Sequence, residues 1–281
     1  MIMKSLFGRI TLASFAFLSV HAAYAWGGWE HTVVAYIAQE HLTEAAERNI
    51  RYYLDQPLTE YAEWMDFVPV QYTEKYEPLI RNTHMFTLNA DGILPDRSIV
   101  DNGECAGTHV MNMMLETVRD HRNQPDSTVI LYLRCIIHLF GDFHCPSHIL
   151  AHDAPGGMMP DGSWRNHFMF KKSWYEGKKV TMHNMWDTAL QREKPDWTFE
   201  DWRIFLDTYT QEQMEQVTAG GFSEWLIDSH SSIEHIYEWW KPDQKYDRTW
   251  YDEKVTSLAH SQIRKAAYRM AKYLNQVFDY E

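Results

Sequence analysis

Two pairs of residues in this chain share one spacing: His138 and Asp142 in "HLFGD", and His183 and Asp187 in "HNMWD". Four residues is just over one helical turn, so each pair projects from one face of a helix and can close on a common point. The first pair sits in "DSTVILYLRCIIHLFGDFHCP", which is apolar almost all round. It reads as a buried helix that begins at Asp126 or Ser127 and ends near Pro146. An ionised aspartate in such surroundings costs several kcal/mol unless it is paired or metal-bound. One His–Asp pair alone can satisfy itself. Here His144 and His148 follow directly, and Pro146 ends the helix so that the chain can turn a ligand back toward it. Two His-x-x-x-Asp pairs and an extra histidine are the donor inventory of a zinc cluster, because imidazole nitrogen and carboxylate oxygen both suit zinc. Spacing alone therefore predicts multi-metal binding.

The groups need a scaffold, and most of the remaining chain reads as helix. "HLTEAAERNIRYYLD" offers Thr43 as N-cap with acids in the first turn. "EDWRIFLDTYTQEQMEQV", "FSEWLIDSHSSIEHIYEWW" and "EKVTSLAHSQIRKAAYRMAKYLNQVF" carry apolar residues at spacings of three and four. "IRNTHMFTLNADGILPD" reads as extended, and "HDAPGGMMPDGSW" as a loop. No repeat or low-complexity tract divides the chain. The expected fold is mainly α, a single helical domain over residues 26–281. Residues 1–25 read as a signal peptide: Lys4 and Arg9 make a basic start, "ITLASFAFLSV" an apolar stretch, and Ala23-Tyr24-Ala25 a small-x-small cleavage pattern. No later segment approaches the roughly 18 apolar residues of a membrane span. Stable membrane insertion is not expected, and the chain is expected to be exported, to the periplasm or the exterior.

Among 281 residues the formal net charge is −13, and loss of Lys4 and Arg9 makes it more negative by two. Such a balance excludes the basic stripe of non-specific nucleic-acid binders, although bound metal can carry positive charge into a local site. Three cysteines, Cys105, Cys135 and Cys145, are too few for a disulfide scaffold, and at most one internal bridge can form. His41, His109, His121, His230, His235 and His260 have no partner at ligand spacing and read as solvated or core residues. Most of the twelve tryptophans read as core filling.

"HLFGDFHCPSH" followed by "HNMWD", with "WGGWEH" after the cleavage pattern, resembles the single-strand-specific zinc nucleases of fungi and plants, which are related to bacterial zinc phospholipase C. The resemblance implies a mainly helical fold holding three zinc ions per chain. It also implies that cleavage after Ala25 frees the α-amine of Trp26, which joins its own carbonyl oxygen in chelating one ion with His31 and Asp142. Asp66, His84, His138 and Asp142 would hold the second, and His148, His183 and Asp187 the third and most open. His144 is expected beside the cluster, orienting a carboxylate.

By the same resemblance, a hydroxide shared by two zinc ions attacks phosphorus in line, with Asp66 orienting or deprotonating it. The third ion would stabilise the leaving 3′-oxygen. The implied activity is endonucleolytic cleavage of single-stranded RNA or DNA to 5′-phosphorylated products, with 3′-nucleotidase activity in addition, by a monomer. The departures fall at substrate contacts. Gly156-Gly157-Met158 stands where the family has Gly-Gly-Asn, Thr87 where it has a base-contacting aspartate, and Pro69 where a lysine is frequent. Glu30 replaces a usual glycine and Cys145 a usual glutamine. Two other functions stay open: a phosphodiesterase of phospholipase C type, disfavoured by Asp187 where those enzymes carry glutamate, and a non-catalytic zinc-binding protein.

Overall fold

The computed structural model describes residues 26–67, 83–88, 107–151, 172–241 and 243–281. The signal-peptide reading, the extended segment apart from residues 83–88, Cys105, Pro69 and the Gly156-Gly157-Met158 loop lie outside them. The mainly α expectation holds. Helices α1 (Gly28–Glu40) and α2 (Glu44–Tyr53) are followed by strand β1 (Phe86–Leu88), then by α3 (Gly107–Arg119) and α4 (Asp126–Asp142). Strand β2 (Ile149–Ala151) and the hairpin β3 (Lys172–Tyr175) and β4 (Lys178–Thr181) lead into α5 (Met182–Asp187), α6 (Ala189–Glu193), α7 (Phe199–Leu206), α8 (Gln211–Val217) and α9 (Phe222–Trp239). Strand β5 (Lys245–Tyr246), the short α10 (Arg248–Tyr251) and α11 (Ser257–Phe278) complete the described chain.

Local chemistry explains the boundaries. Thr43 caps α2 by accepting the Ala46 N–H, as its sequence suggests. The segment 200–217 is two helices where one was expected. Thr210 starts α8 afresh in a reciprocal capping box with Gln213, and that cap outcompetes continuation of α7. The β3–β4 turn has positive φ at Glu176 (47°) and Gly177 (77°), the two-residue geometry that suits the strands' twist. It needs glycine at the second place because a Cβ is penalised there.

α1 lies along α11, α3 along α4, and α11 also packs on α2 and α4. α4 is buried on every side from Cys135 to Asp142, as its composition requires. Trp26, Trp186, Trp202 and Trp240 are fully buried. Two small sheets serve the helices. In one, β1 and β2 pair in parallel, Phe86 opposite Ile149, which sets His84 and His148 side by side. In the other, β4 and β5 flank β3. β4 runs directly into α5, whose start is capped by the Thr181 hydroxyl on the Asn184 N–H.

Arg269 in α11 ties three other segments together. Its guanidinium donates to Asp228 on α9 (2.6 Å), to His144 after α4 (2.9 Å) and to the Val217 carbonyl at the end of α8 (2.8 Å). Removing the buried cation strands His144 Nε2 and the Val217 carbonyl, while the part-exposed Asp228 keeps its Lys265 partner. Arg269→Met is therefore expected to cost roughly 2–4 kcal/mol of unfolding free energy in urea titration, far above the effect of an average surface substitution.

Candidate metal centre

Asp142 ends α4 with its side chain completely buried. Three imidazoles face its carboxylate: His84 Nδ1 and His138 Nε2 lie 2.9 and 3.2 Å from Oδ2, and His31 Nε2 lies 3.3 Å from Oδ1. His84 Nδ1 and His138 Nε2 are 3.1 Å apart. Asp66 Oδ1 is 3.8 Å from His138 Nε2 and 4.0 Å from His84 Nδ1. Donors on a tetrahedral zinc at roughly 2.0–2.2 Å stand about 3.3–3.6 Å from one another; His84, His138 and Asp142 sit slightly closer than that and Asp66 slightly farther, so small shifts bring the four into one such shell. His31 stacks on His138 with ring centroids 4.0 Å apart. Neither of its nitrogens, nor Asp142 Oδ1, has a hydrogen-bond partner among the described residues. Buried polar atoms are seldom left so, and a cation between them is the economical partner.

Backbone carbonyls set which ring atom faces the centre. The Ala62 carbonyl takes the Nδ1 proton of His138 (2.7 Å), and the His84 carbonyl takes that of His148 (2.6 Å). Each ring in its neutral form then has its lone pair on Nε2, the form in which histidine binds metal.

The remaining expected ligands are brought together less symmetrically. His148 Nε2 and His183 Nε2 meet at 3.0 Å, while His183 Nδ1 lies 2.7 Å from Asp187 Oδ2. His183 thus sits between the other two, held by Asp187 in the manner of a carboxylate that orients a ligand histidine. The donors that do cluster here are Cys145, His148 and Asp187, one ligand atom of each within 4.8 Å of the others. Asp187 Oδ1 is buried without a hydrogen-bond partner. Trp26 is fully buried, and the next residue, Gly27, donates its N–H to the Asp187 carbonyl at 2.6 Å. The expected N-terminal residue is therefore fastened to the end of α5.

Two residues behave differently from expectation. His144 orients no carboxylate: its Nδ1 engages the Phe140 carbonyl (2.8 Å) and its Nε2 the Arg269 guanidinium (2.9 Å), so both nitrogens are spent on the frame. Glu30, noted in the sequence without a role, is fully buried and accepts the Leu190 N–H at 2.8 Å, clamping the start of α1 to α6. A backbone partner 160 residues away leaves no trace in the sequence. Cys135 and Cys145 are both buried, free thiols.

The electrostatics follow from burial and from these contacts. Burial disfavours a charged Asp142, but the charge on His138 and the surrounding rings outweigh it and hold the carboxyl well below the usual range. Burial likewise opposes the proton on His138, yet Asp142, Asp66 and the Ala62 carbonyl raise it to about 9. His148 and His183 are pushed down to about 3 and about 4, chiefly by burial. Burial also lowers His31 and His144, and raises Asp187 and Glu30. An open cleft of about 540 Å³ is lined by Thr32, Tyr36, Glu60, Glu63 and Phe199 among others, and by none of the expected ligands. Its two carboxylates make it a poor place for phosphate.

Comparison with known proteins agrees with this chemistry. The family profile described as S1/P1 nuclease matches residues 26–279. Nuclease S1 of Aspergillus oryzae is 26% identical over 179 residues, covering 60% of this chain and 56% of that protein. The matched region thus spans just over half of the relative's length.

Two outcomes test this geometry. A Cβ at Gly141 would lie 2.3 Å from His31 Nδ1, so only glycine lets α4 pass this close to the ring. Gly141→Ala is expected to destabilise the metal-free protein by about 1–3 kcal/mol in chemical denaturation, as overpacking does. Stability of the metal-free protein should also fall below pH 6.5. Four rings (His31, His144, His148, His183) bind protons more weakly folded than unfolded, so their contribution is present above about 6.5 and lost as pH falls toward 4. The raised carboxyls of Glu30 and Asp187 and the raised His138 ring act in the opposite sense, but three groups do not cancel four, and His138 changes little across this window. Urea titrations at pH 6.5 and 5.5 should differ by on the order of 1 kcal/mol, with the lower pH less stable.

Proposed function

The chain belongs to the S1/P1 nuclease family, and from that premise we propose that it is an exported, zinc-dependent phosphodiester hydrolase acting on single-stranded RNA or DNA. Its products are 5′-phosphorylated, and 3′-nucleotides are a second substrate class. Residues 1–25 are removed as a signal peptide, and residues 26–281 form the one zinc-dependent domain. The observation that carries the reading is the buried meeting of Asp66, His84 and His138 around Asp142, with His31 and the second Asp142 oxygen left without hydrogen-bond partners.

By the family resemblance, the chain's donors would hold three zinc ions. Trp26, His31 and Asp142 would hold one, Asp66, His84, His138 and Asp142 a second, and His148, His183 and Asp187 the third. Zinc bound there supplies Lewis acidity at phosphoryl oxygens and lowers the pKa of water to roughly 7. The chain's own residues do the rest. Asp142 stays ionised at neutral pH and braces three rings at once. The Ala62 and His84 carbonyls keep the ring protons of His138 and His148 on the outer nitrogens. Of the groups around Asp142, Asp66 and His84 are the less completely buried, with side chains 7% and 17% exposed, so they form the side of that position that substrate reaches. There the free oxygen of Asp66 can accept the proton of the attacking water, the role of a general base. The base contacts usual in the resembling nucleases are replaced in this sequence at Thr87 and Met158, which leaves stacking and phosphate binding, and these discriminate little between bases.

The test is hydrolysis by protein beginning at Trp26, offered single-stranded RNA, a 3′-nucleotide and a short-chain phosphatidylcholine side by side, with and without chelator. Chelator-sensitive release of 5′-phosphorylated nucleotides is expected. Turnover of the phospholipid alone would move the assignment to a phospholipase. No turnover by zinc-loaded protein would reduce it to a metal-binding protein. In parallel, one extra residue ahead of Trp26 turns its amine into an amide, and bound zinc is expected to fall from three ions per chain to two.

A further inference from the structure

We propose that Cys145 is a sulfur ligand of the metal position around His148 and Asp187, making that position a soft, zinc-selective one. The inference rests on the zinc-centre reading above and adds a donor to it.

The backbone delivers Cys145 to this place. Beyond α4 its N–H continues the turn onto the Gly141 and Asp142 carbonyls, at 3.0 and 2.9 Å. Pro146–His148 then forms a single 3₁₀ turn, closed by the His148 N–H on the Cys145 carbonyl at 2.9 Å. Side chains three apart in a 3₁₀ turn eclipse one another, so the sulfur and the imidazole leave the chain on the same side. The result is the observed cluster, with one ligand atom each from Cys145, His148 and Asp187 inside 4.8 Å.

A second, independent feature points to a cation at this cluster. Asp187 spends Oδ2 on His183, and its Oδ1 is buried with no hydrogen-bond partner. The His148 ring has given its Nδ1 proton to the His84 carbonyl and keeps a lone pair on Nε2. Cys145 is fully buried, and no disulfide engages its sulfur. A neutral His183 has one ring proton and faces both His148 Nε2 at 3.0 Å and Asp187 Oδ2 at 2.7 Å, so it can serve only one of them, and no described group donates to Asp187 Oδ1. A divalent ion satisfies the acceptors left over.

The chemistry of the set narrows the ion. Sulfur, imidazole nitrogen and carboxylate oxygen together favour zinc over magnesium, calcium or manganese. As the sulfur–zinc bond forms, the S–H bond breaks and its proton passes to water, with no change of oxidation state. The Ser147 hydroxyl, 3.0 Å from the sulfur, can then donate to the thiolate. A fourth protein donor beside His148, His183 and Asp187 would close a position that three ligands leave open, so its metal should be retained longer.

X-ray absorption on the zinc-loaded protein beginning at Trp26 decides the matter without a variant. A sulfur shell at roughly 2.3 Å beside the nitrogen and oxygen shell is expected. Cobalt-substituted protein should show a thiolate-to-metal charge-transfer band in the near ultraviolet. That band should survive in Cys105→Ser and Cys135→Ser and vanish in Cys145→Ser. The most weakly held metal of Cys145→Ser should show at least a tenfold weaker affinity in chelator competition, the loss typical of disturbing a metal's support. Protein that binds its full complement of zinc with only nitrogen and oxygen neighbours overturns this proposal and leaves the nuclease reading intact. Protein that binds no zinc overturns both.

Discussion

The structure depends on a carboxylate held where water cannot reach it. Asp142 is completely buried at the end of a helix that is apolar around its last two turns. Left alone, an ionised group there would cost several kcal/mol, and in practice it would take up a proton. Three imidazoles at 2.9–3.3 Å prevent that. They come from three separate parts of the chain: His31 from α1, His138 from α4 itself and His84 from the lead into β1. Keeping one aspartate charged therefore fixes the relative placement of those elements. It also explains features that look incidental, such as the glycine at 141 that lets α1 and α4 approach.

The same constraint runs outward. The rings around Asp142 must be neutral or singly charged in a definite tautomer, and backbone carbonyls decide which. Ala62 does this for His138, and His84 does it for His148 through the parallel pairing of β1 with β2. Behind the centre, His144 and Arg269 couple α4 to α9 and α11 with no ligand role of their own. The frame is thus polar in its interior, and His144 and Arg269 are held there by the Phe140 and Val217 carbonyls and by Asp228.

How much of this the sequence discloses depends on distance along the chain. The pairs His138–Asp142 and His183–Asp187 are legible because four residues on a helix is a local rule. So are the cap at Thr43 and the start of α4 at Asp126. α1 escapes notice because it is buried from Glu30 to Ala35 and so lacks a polar stripe, and the β3–β4 hairpin because its turn reads only as Glu176-Gly177. The partner of His144 lies 125 residues away, and the family resemblance implies a carboxylate where the fold supplies Arg269. The side-by-side placement of His84 and His148 is set by strand register, which no local pattern encodes. His183 is legible as a member of the centre, but its position between His148 and Asp187 depends on how β4 delivers α5.

The charge of the chain completes the physical picture. At −13 the protein as a whole repels a polyanion, and several described basic side chains are already engaged: Arg203 with Glu200, Arg248 with Asp252, Lys265 and Arg269 with Asp228. Three zinc ions would carry six positive charges against the three carboxylates of Asp66, Asp142 and Asp187, a local excess inside a repelling surface. Such a field is short-ranged under salt, falling off within about 8–10 Å. It would draw in one phosphodiester at a time and hold few others. A flexible single strand can offer a lone phosphate to so confined a centre, whereas a duplex would bring a dense row of phosphates against an acidic surface. The electrostatics thus favour the single-strand preference that the family resemblance implies, with no base contact required.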